Sequence, residues 1–296
     1  MSTASVAERW AQTRSFHHSL YPAEKIARER ELSVSVCLPA RECAETVGAI
    51  VGALAELRAK GAIDEVVVVD GASADGTAEA AERAGAVVHQ EAELLAELGP
   101  VLGKGDAMYR ALSVLDGELI CFVDADTEGF STHFACGLLG PLVCERDVSF
   151  VKAFYRRPFV QDGVSLAEGG GRVNGLVARP ALRLFYPELA VISQPLAGEI
   201  AARRELLWRV PFATGYGVEI AMLIDVWREV GLEGIAQVDL DERRNRHQSL
   251  AALEPMAVTV LATLARRLER EGRLMAGQAD GGPVERPAFA DARVAR

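Results

Sequence analysis

Between residues 33 and 123, short apolar runs alternate with stretches of helical spacing, and no other feature of this 296-residue chain constrains its fold as tightly. Ser33-Val34-Ser35-Val36-Cys37-Leu38-Pro39-Ala40, Glu65-Val66-Val67-Val68-Val69-Asp70 and Ala86-Val87-Val88-His89 are too short for typical helices and rich in strand formers. Pro39 is expected to close the first run, because proline cannot donate to a ladder. Val47, Ile50, Val51, Leu54 and Leu57 recur at helical spacing over Glu45 to Lys60, and a second helix is expected over about Thr77 to Ala84. Glu118-Leu119-Ile120-Cys121-Phe122-Val123 repeats the strand pattern. Strands joined by crossovers of helical length pair in parallel, and such a sheet needs helices on both faces. The alternation therefore predicts an α/β fold with a mostly parallel sheet that includes the strand at 118–123.

That strand runs into Asp124-Ala125-Asp126. Ligands of open α/β sheets bind beyond the carboxyl ends of the strands. Side chains at i and i+2 of an extended segment point the same way, so Asp124 and Asp126 present two carboxylates to one place. Mg2+ or Mn2+ prefers oxygen ligands and bridges one or two carboxylates to a phosphate. The pattern suggests a metal site that receives a nucleoside diphosphate. A turn or a helix N-cap would use Asp as readily, and the motif alone is compatible with both.

Beyond residue 127 the alternation breaks down. A helix over 131–144, a strand over Val148–Tyr155, a helix over Glu219–Val230, a strand over Ile235–Leu240 and a helix over 256–274 are expected. Residues 1–30 read as an arm, and 276–296, rich in Gly, Pro, Ala and charge, as a disordered tail. Net charge is −10 without long blocks of like charge, which gives no footprint for nucleic acid. The five cysteines form no Cys-x-x-Cys pair, and three lie in apolar segments, so buried thiols in a reducing compartment are expected. The first thirty residues lack the apolar run of a secretory signal. The longest apolar run, Phe134 to Cys144, has 11 residues, too few to span a bilayer. A cytoplasmic protein without membrane partners is expected.

Glu168-Gly169-Gly170-Gly171-Arg172-Val173-Asn174 combines backbone N–H groups that can converge on an anion with a guanidinium fork, although a plain flexible loop would have similar composition. Gln194-Pro195-Leu196-Ala197-Gly198-Glu199 and Thr214-Gly215-Tyr216-Gly217-Val218-Glu219 read as two loop-to-helix joints, with capping the simplest role for each Glu. Gly99-Pro100-Val101-Leu102-Gly103-Lys104-Gly105 fails as a P-loop, because it has three residues between its glycines and Gly after the lysine. Lys104 still reads as a cation delivered to a phosphate by a flexible loop. Arg243-Arg244-Asn245-Arg246-His247-Gln248 follows the last strand; its histidine is either a metal or phosphate contact or simply exposed.

In this order, Gly103-Lys104-Gly105, Lys152-x-Phe154-Tyr155-Arg156-Arg157-Pro158, Gly169-Gly170-Gly171-Arg172-Val173, Gln194-Pro195-Leu196-x-Gly198-Glu199 and Gly215-Tyr216-Gly217-Val218-Glu219-Ile220 resemble the nucleotide-sugar transferases of the GT-A fold. More narrowly, from about Leu32 to Met256, they resemble the glucosyl-3-phosphoglycerate synthases and their mannosyl relatives. The resemblance implies a Rossmann-like sheet whose 31–130 half binds the nucleotide-sugar and whose 131–255 half, within the same domain, binds the acceptor, followed by a helix and flexible tail over 256–296. It implies a cytoplasmic, homodimeric enzyme that uses Mg2+ or Mn2+ and moves glucose from UDP-glucose to the 2-hydroxyl of 3-phosphoglycerate with retention. By position, Pro39, Ala40, Ser73 and Ala125 would lie against the nucleotide, Lys104 by the uracil or diphosphate, Asp124 by the ribose and Asp126 on the metal. Gly171, Arg172, Val173 and Asn174 would hold the phosphoglycerate, Tyr216 and Glu219 the sugar hydroxyls, and the Leu196 backbone would face the reacting centre. Of these, Asp126, Lys104, Leu196 and Glu219 would carry the chemistry.

Three positions depart from the family. Its Asn-Glu-Glu slots read Glu42-Cys43-Ala44 here, so the carboxylate that reads the base shifts to Glu42 or Glu45. Asn174 replaces a Thr, and Asn245 stands where a metal-binding His belongs, so that His247 becomes the expected metal ligand and acceptor contact. A mannosyl-3-phosphoglycerate synthase that takes GDP-mannose, or a catalytically impaired nucleotide-sugar-binding module, would share nearly all these residues.

Overall fold

A computed structural model describes residues 3–161, 164–166, 170–244, 249–274 and 284–293. Its strands are β1 (Ser15–His17), β2 (Val34–Ala40), β3 (Glu65–Asp70), β4 (Val87–Gln90), β5 (Leu119–Phe122) and β6 (Phe150–Arg156), then a separate antiparallel ribbon of β7 (Phe159–Gln161) and β8 (Val164–Leu166). After these come β9 (Ile200–Arg203), β10 (Phe212–Ala213), β11 (Ile235–Glu242) and β12 (Glu285–Arg286). One eight-stranded sheet runs in the order β1-β11-β6-β9-β5-β2-β3-β4. Only β9 is antiparallel to its neighbours, β5 and β6. The mostly parallel α/β sheet expected from the alternation is present.

Both faces are covered, and the strand period divides the valines between them. Val66 and Val68 join Val36 and Leu38 in one core, while Val67 and Val69 join Cys37 and Phe122 in the other. The helix His133–Cys144 is buried from Phe134 to Leu142 and packs on β6, β9 and β11, which explains an apolar run without polar positions. Among the described residues, no helix is long and apolar enough to cross a membrane. Pro39 does not end β2, which runs on to Ala40. The Cys37 carbonyl accepts from Val123 N–H at 3.1 Å, and Pro39 faces the same side two residues later, where β5 has ended. Its missing donor therefore costs no ladder bond.

The expected arm is instead part of the sheet. A helix, Thr3–Arg14, leads into β1, which pairs with β11 as the sheet edge. Buried Trp10 donates its indole N–H to the carbonyls of Leu232 (2.9 Å) and Ile235 (3.2 Å). Its polar composition is that of an edge, with single apolar anchors, Trp10, Tyr21 and Ile26, supplying the burial. The expected tail also departs from disorder where it is described. β12 pairs with β10, Arg286 donates to Asp106 at 2.6 and 2.9 Å, and Phe289 is buried with its ring 5.3 Å from that of Tyr109. The preceding helix is Leu250–Arg270, earlier than expected, because the Ser249 hydroxyl caps it by accepting from Ala252 N–H at 3.2 Å.

Candidate active site

Parallel strands present their carboxyl ends to one edge, and antiparallel β9 presents its amino end there. Asp70, Asp124 and Asp126, Arg156 and Arg243 follow or close β3, β5, β6 and β11 at that edge, and Gly198-Glu199 meets them just before β9. This convergence makes the site.

Lys104 is its positive centre. Nζ lies 2.6 Å from Asp124 Oδ1 and 3.1 Å from Glu219 Oε1. Burial alone would push the ammonium down, but Asp124 and Glu219 more than offset this and hold it well above the ordinary lysine range. Burial likewise acts to raise Asp124, and Lys104 with Arg243 pulls it well below the carboxylate range. Lys104 is not on a flexible loop: it opens the helix Lys104–Ala111. A cation at a helix N-terminus is unfavourable, and the two carboxylates offset that cost. Gly105 is required by close approach, since a Cβ there would collide with the Ala213 carbonyl. Gly103, at φ 86°, brings this loop against Gly215, so the segments carrying Lys104 and Glu219 are locked together. Glu219 lies in the first turn of the helix Val218–Val230, as its spacing predicts, and Tyr216 stands half exposed on the turn before it.

Arg243 is the second hub, and nothing in the sequence singled it out from its basic run. Its guanidinium is buried, with Nη2 at 2.9 Å from Asp124 Oδ2 and 2.7 Å from Asp126 Oδ1, and Nε at 2.9 Å from Glu199 Oε1. The Nε hydrogen goes to Thr127 Oγ1 at 3.0 Å, and Nη1 donates to the Tyr155 hydroxyl at 3.2 Å. Glu199 precedes a strand, not a helix, so the expected capping role is replaced by the ion pair with Arg243 and by a 2.6 Å hydrogen bond from the Tyr155 hydroxyl. Burial, then the Glu199 charge, pushes Tyr155 up to about 12. Lys152, fully buried within β6, donates to the Ala197 carbonyl at 2.7 Å. A lysine between Val151 and Ala153 in a buried strand was the legible signal for it.

The loop Gln194–Glu199 joins both hubs to the glycine-rich turn. A Cβ on Gly198 would stand 2.5 Å from both Asp124 Oδ1 and Lys104 Nζ, so the backbone passes directly over that pair. Leu196 N–H donates to Asn174 Oδ1 at 3.2 Å. Gly171 (φ 70°) turns the chain into a helical stretch that starts at Arg172, makes a π-turn over Asn174–Ala178 and continues as Arg179–Phe185. Val173 is buried in the core beneath that turn. Such π-turns concentrate at functional sites. Glu168, Gly169, Asn245 and His247 lie outside the described residues.

At the ends of β2 and β3, Glu42 (φ 53°) donates its N–H to Ser73 Oγ at 2.9 Å and accepts from Ala74 N–H at 2.9 Å through its carboxylate. Thr46 Oγ1 donates to the Ala125 carbonyl at 2.5 Å, tying this region to the Asp124–Asp126 segment. Pro39 and Ala40 thus share the edge with Glu42, Ser73 and the acidic pair. A divalent cation fits here. The Asp126 side chain is more than half exposed and, with Oδ1 on the Arg243 guanidinium, keeps Oδ2 as a hard oxygen for the cation.

A model of Glycosyl transferase family 2 matches residues 35–142. A glucosyl-3-phosphoglycerate synthase of Petrotoga mobilis is 42% identical over 267 residues, covering 88% of this chain and 82% of that protein. The crystal structure of a mannosyl-3-phosphoglycerate synthase from Rubrobacter xylanophilus superposes with TM-score 0.89 at 44% identity, covering 97% and 98% of the two chains. A glucosyl-3-phosphoglycerate synthase from Mycobacterium tuberculosis, solved with Mn2+, UDP-glucose and phosphoglyceric acid, superposes with TM-score 0.80 at 36% identity over 93% and 96%.

Proposed function

The chain belongs to the glucosyl-3-phosphoglycerate synthase family of glycosyltransferases, and from that membership and the geometry of the site we propose that it transfers glucose from UDP-glucose to the 2-hydroxyl of 3-phosphoglycerate with retention. The observation that carries this reading is the Lys104–Asp124–Arg243–Asp126 cluster, roofed by Gly198 and bonded through Leu196 to Asn174 of the glycine-rich turn. Donor and acceptor sites then meet over one backbone segment.

In this reading Pro39, Ala40, Glu42, Ser73 and Ala125 hold the nucleoside, Asp124 the ribose side, and Tyr216 and Glu219 the sugar hydroxyls. Mg2+ or Mn2+ binds through Asp126, with His247 as the further ligand, and supplies charge for the diphosphate. Lys104 neutralises the charge that develops on the departing diphosphate, and preorganised charge of this kind is the largest catalytic contribution in many enzymes. Gly171, Arg172, Val173, Asn174 and His247 fix the acceptor, whose phosphate suits the N–H groups at the start of the helical stretch. Proximity supplies much of the remainder. The Leu196 segment lies at the reacting centre, and attack comes from the front face, with the donor diphosphate oxygen taking the acceptor proton. The five free thiols suit a reducing compartment, and the reading places the chain in the cytoplasm as a homodimer.

A second reading, GDP-mannose as donor, is supported by the likeness to the mannosyl-3-phosphoglycerate synthase of Rubrobacter xylanophilus at 44% identity. UDP release from UDP-glucose, measured with Mg2+ and with or without 3-phosphoglycerate, tests the first. Acceptor-dependent release that falls at least a hundredfold in Asp126→Ala is expected. Turnover with GDP-mannose alone would replace glucose by mannose, and silence with both donors would overturn the transferase reading.

A further inference from the structure

Away from the active site, three metal-ligating side chains converge where the N-terminal segment meets β11. His17 Nε2 lies 3.3 Å from Asp241 Oδ1 and His18 Nε2 lies 2.7 Å from Asp241 Oδ2. One donor atom from each of the three falls within 4.8 Å of the others. We propose that His17, His18 and Asp241 form a second divalent-cation site, selective for Zn2+ or a similar imidazole-preferring ion, that fastens β1 to β11. Two imidazoles and one carboxylate suit zinc, whereas Mg2+ takes oxygen donors, so the site differs in kind from the one at Asp126.

Several features build this cluster beyond a chance meeting. Asp241 has φ 66°, a left-handed conformation that is uncommon outside glycine, asparagine and aspartate. A break in the β11–β6 register between Asp239 and Glu242 produces it, and Asp239 Oδ1 holds it by accepting Asp241 N–H at 2.9 Å. The break thus turns the Asp241 carboxylate to the two histidines. The Ser19 hydroxyl stands 2.8 Å from His17 Nδ1, and Ser19 N–H meets the same nitrogen at 3.2 Å. A metal on Nε2 would shift the ring proton to Nδ1, where the Ser19 hydroxyl can accept it, as the second ring nitrogen of a ligating histidine requires, and the Ser19 N–H contact would be given up. His18 is walled by the His133 ring at 4.3 Å, while His133 itself is engaged with Ser131 Oγ at 2.5 Å and the Leu240 carbonyl at 3.2 Å. Gly137 admits His18, since a Cβ there would stand 3.0 Å from His18 Cβ. Tetrahedral zinc with bonds of about 2.1 Å spaces its donors by about 3.4 Å, so the His18 and Asp241 atoms would part slightly to admit the ion, leaving one coordination position to water. Asp241 is two residues before Arg243, so fixing this break also fixes the strand that delivers the active-site guanidinium.

Equilibrium dialysis of the full chain against Zn2+, in an Asp126→Ala/His247→Ala background that removes the other proposed ligands, tests the site. One equivalent of Zn2+ is expected to remain, with affinity at least tenfold weaker after His18→Ala and after Asp241→Asn. Co2+ in its place should give the intense visible bands of a four-coordinate ion, weakened by the same changes. His17→Ala, at the most exposed of the two histidines, provides a variant that keeps its fold, checked by circular dichroism. Failure of the background protein to retain Zn2+, or retention unchanged in His17→Ala and Asp241→Asn, would overturn the proposal and leave a hydrogen-bonded clip.

Discussion

Lys152 shows what one residue contributes to this site. Its ammonium is enclosed in β6, and burial pushes it down to about 8 from 10.5. Below pH 8 the folded and unfolded chains both carry the proton, and the cost of enclosing the charge is felt in full. Between pH 8 and 10.5 the folded chain releases that proton while the unfolded chain keeps it, so this group makes stability rise with pH. The gain is about 3 kcal/mol across the window, at roughly 1.4 kcal/mol per unit. Urea unfolding midpoints at pH 7.5 and 10 should therefore separate wild type from Lys152→Met, with the variant losing the upward slope. Equal slopes would show that Lys152 does not titrate in the folded protein. At this scale the sequence was uneven. Lys104, Asp124 and Glu219 stood out because glycine or a strand end framed each of them. Arg243 did not, because its importance arises from burial among Glu199, Tyr155 and Asp124, residues 44 to 119 positions away, and only the pairing of β11 with β6 brings it there.

Elements were legible where the period was local. Apolar β2, β3 and β5 announced themselves, whereas β9 reads Ile-Ala-Ala-Arg, four residues with no alternation, and is a strand because β5 and β6 supply ladders on both sides. The β12 segment was hidden by tail composition, yet it fastens the helix that carries Lys104. Arg286 donates two bonds to Asp106, which also accepts from Arg110 Nε at 3.2 Å and from Leu102 N–H at 3.0 Å. Asp106 is fully buried, and hydrogen bonds to the guanidinium of Arg286 help to hold it below the usual carboxylate range against burial, which acts to raise it. Hydrogen bonds to charged groups contribute about 1.5–3 kcal/mol each. Arg286→Met should lower stability by about 2–3 kcal/mol, read as a shift in guanidinium midpoint without change in m. It should also raise the Michaelis constant for the donor more than it lowers turnover, because Lys104 remains but its helix loosens. An unchanged midpoint would show that the tail only rests on the surface.

Across the whole molecule, much of the apolar surface left uncovered among the described residues lies on two neighbouring helical elements. Leu176 and Leu184 are each about three-quarters exposed, on the stretch that begins at the glycine-rich turn. The helix Leu250–Arg270 packs on that stretch and divides its apolar residues. Leu253, Met256, Val260, Leu264 and Leu268 turn to the core, while Leu250, Val258 and Leu261 are exposed along the flank beside it at helical spacing. A face of this kind is costly in water at about 25 cal/mol per Å2, and contiguous patches on single chains usually mark an interaction surface. Net charge of −10 opposes association in general, so a dimer needs an apolar seam of this sort to overcome it. In the homodimer proposed for this chain, the seam would lie against the segment that opens the acceptor site, so assembly would brace Arg172 and Asn174 from behind. Val258→Glu combined with Leu261→Glu should convert a sedimenting dimer to monomer at micromolar concentration while leaving the helical circular dichroism intact. The affinity for 3-phosphoglycerate should weaken more than that for the donor. A dimer that survives both charges would assign the seam to another face, and a wild-type chain that sediments as a monomer would remove the homodimer from the proposal altogether.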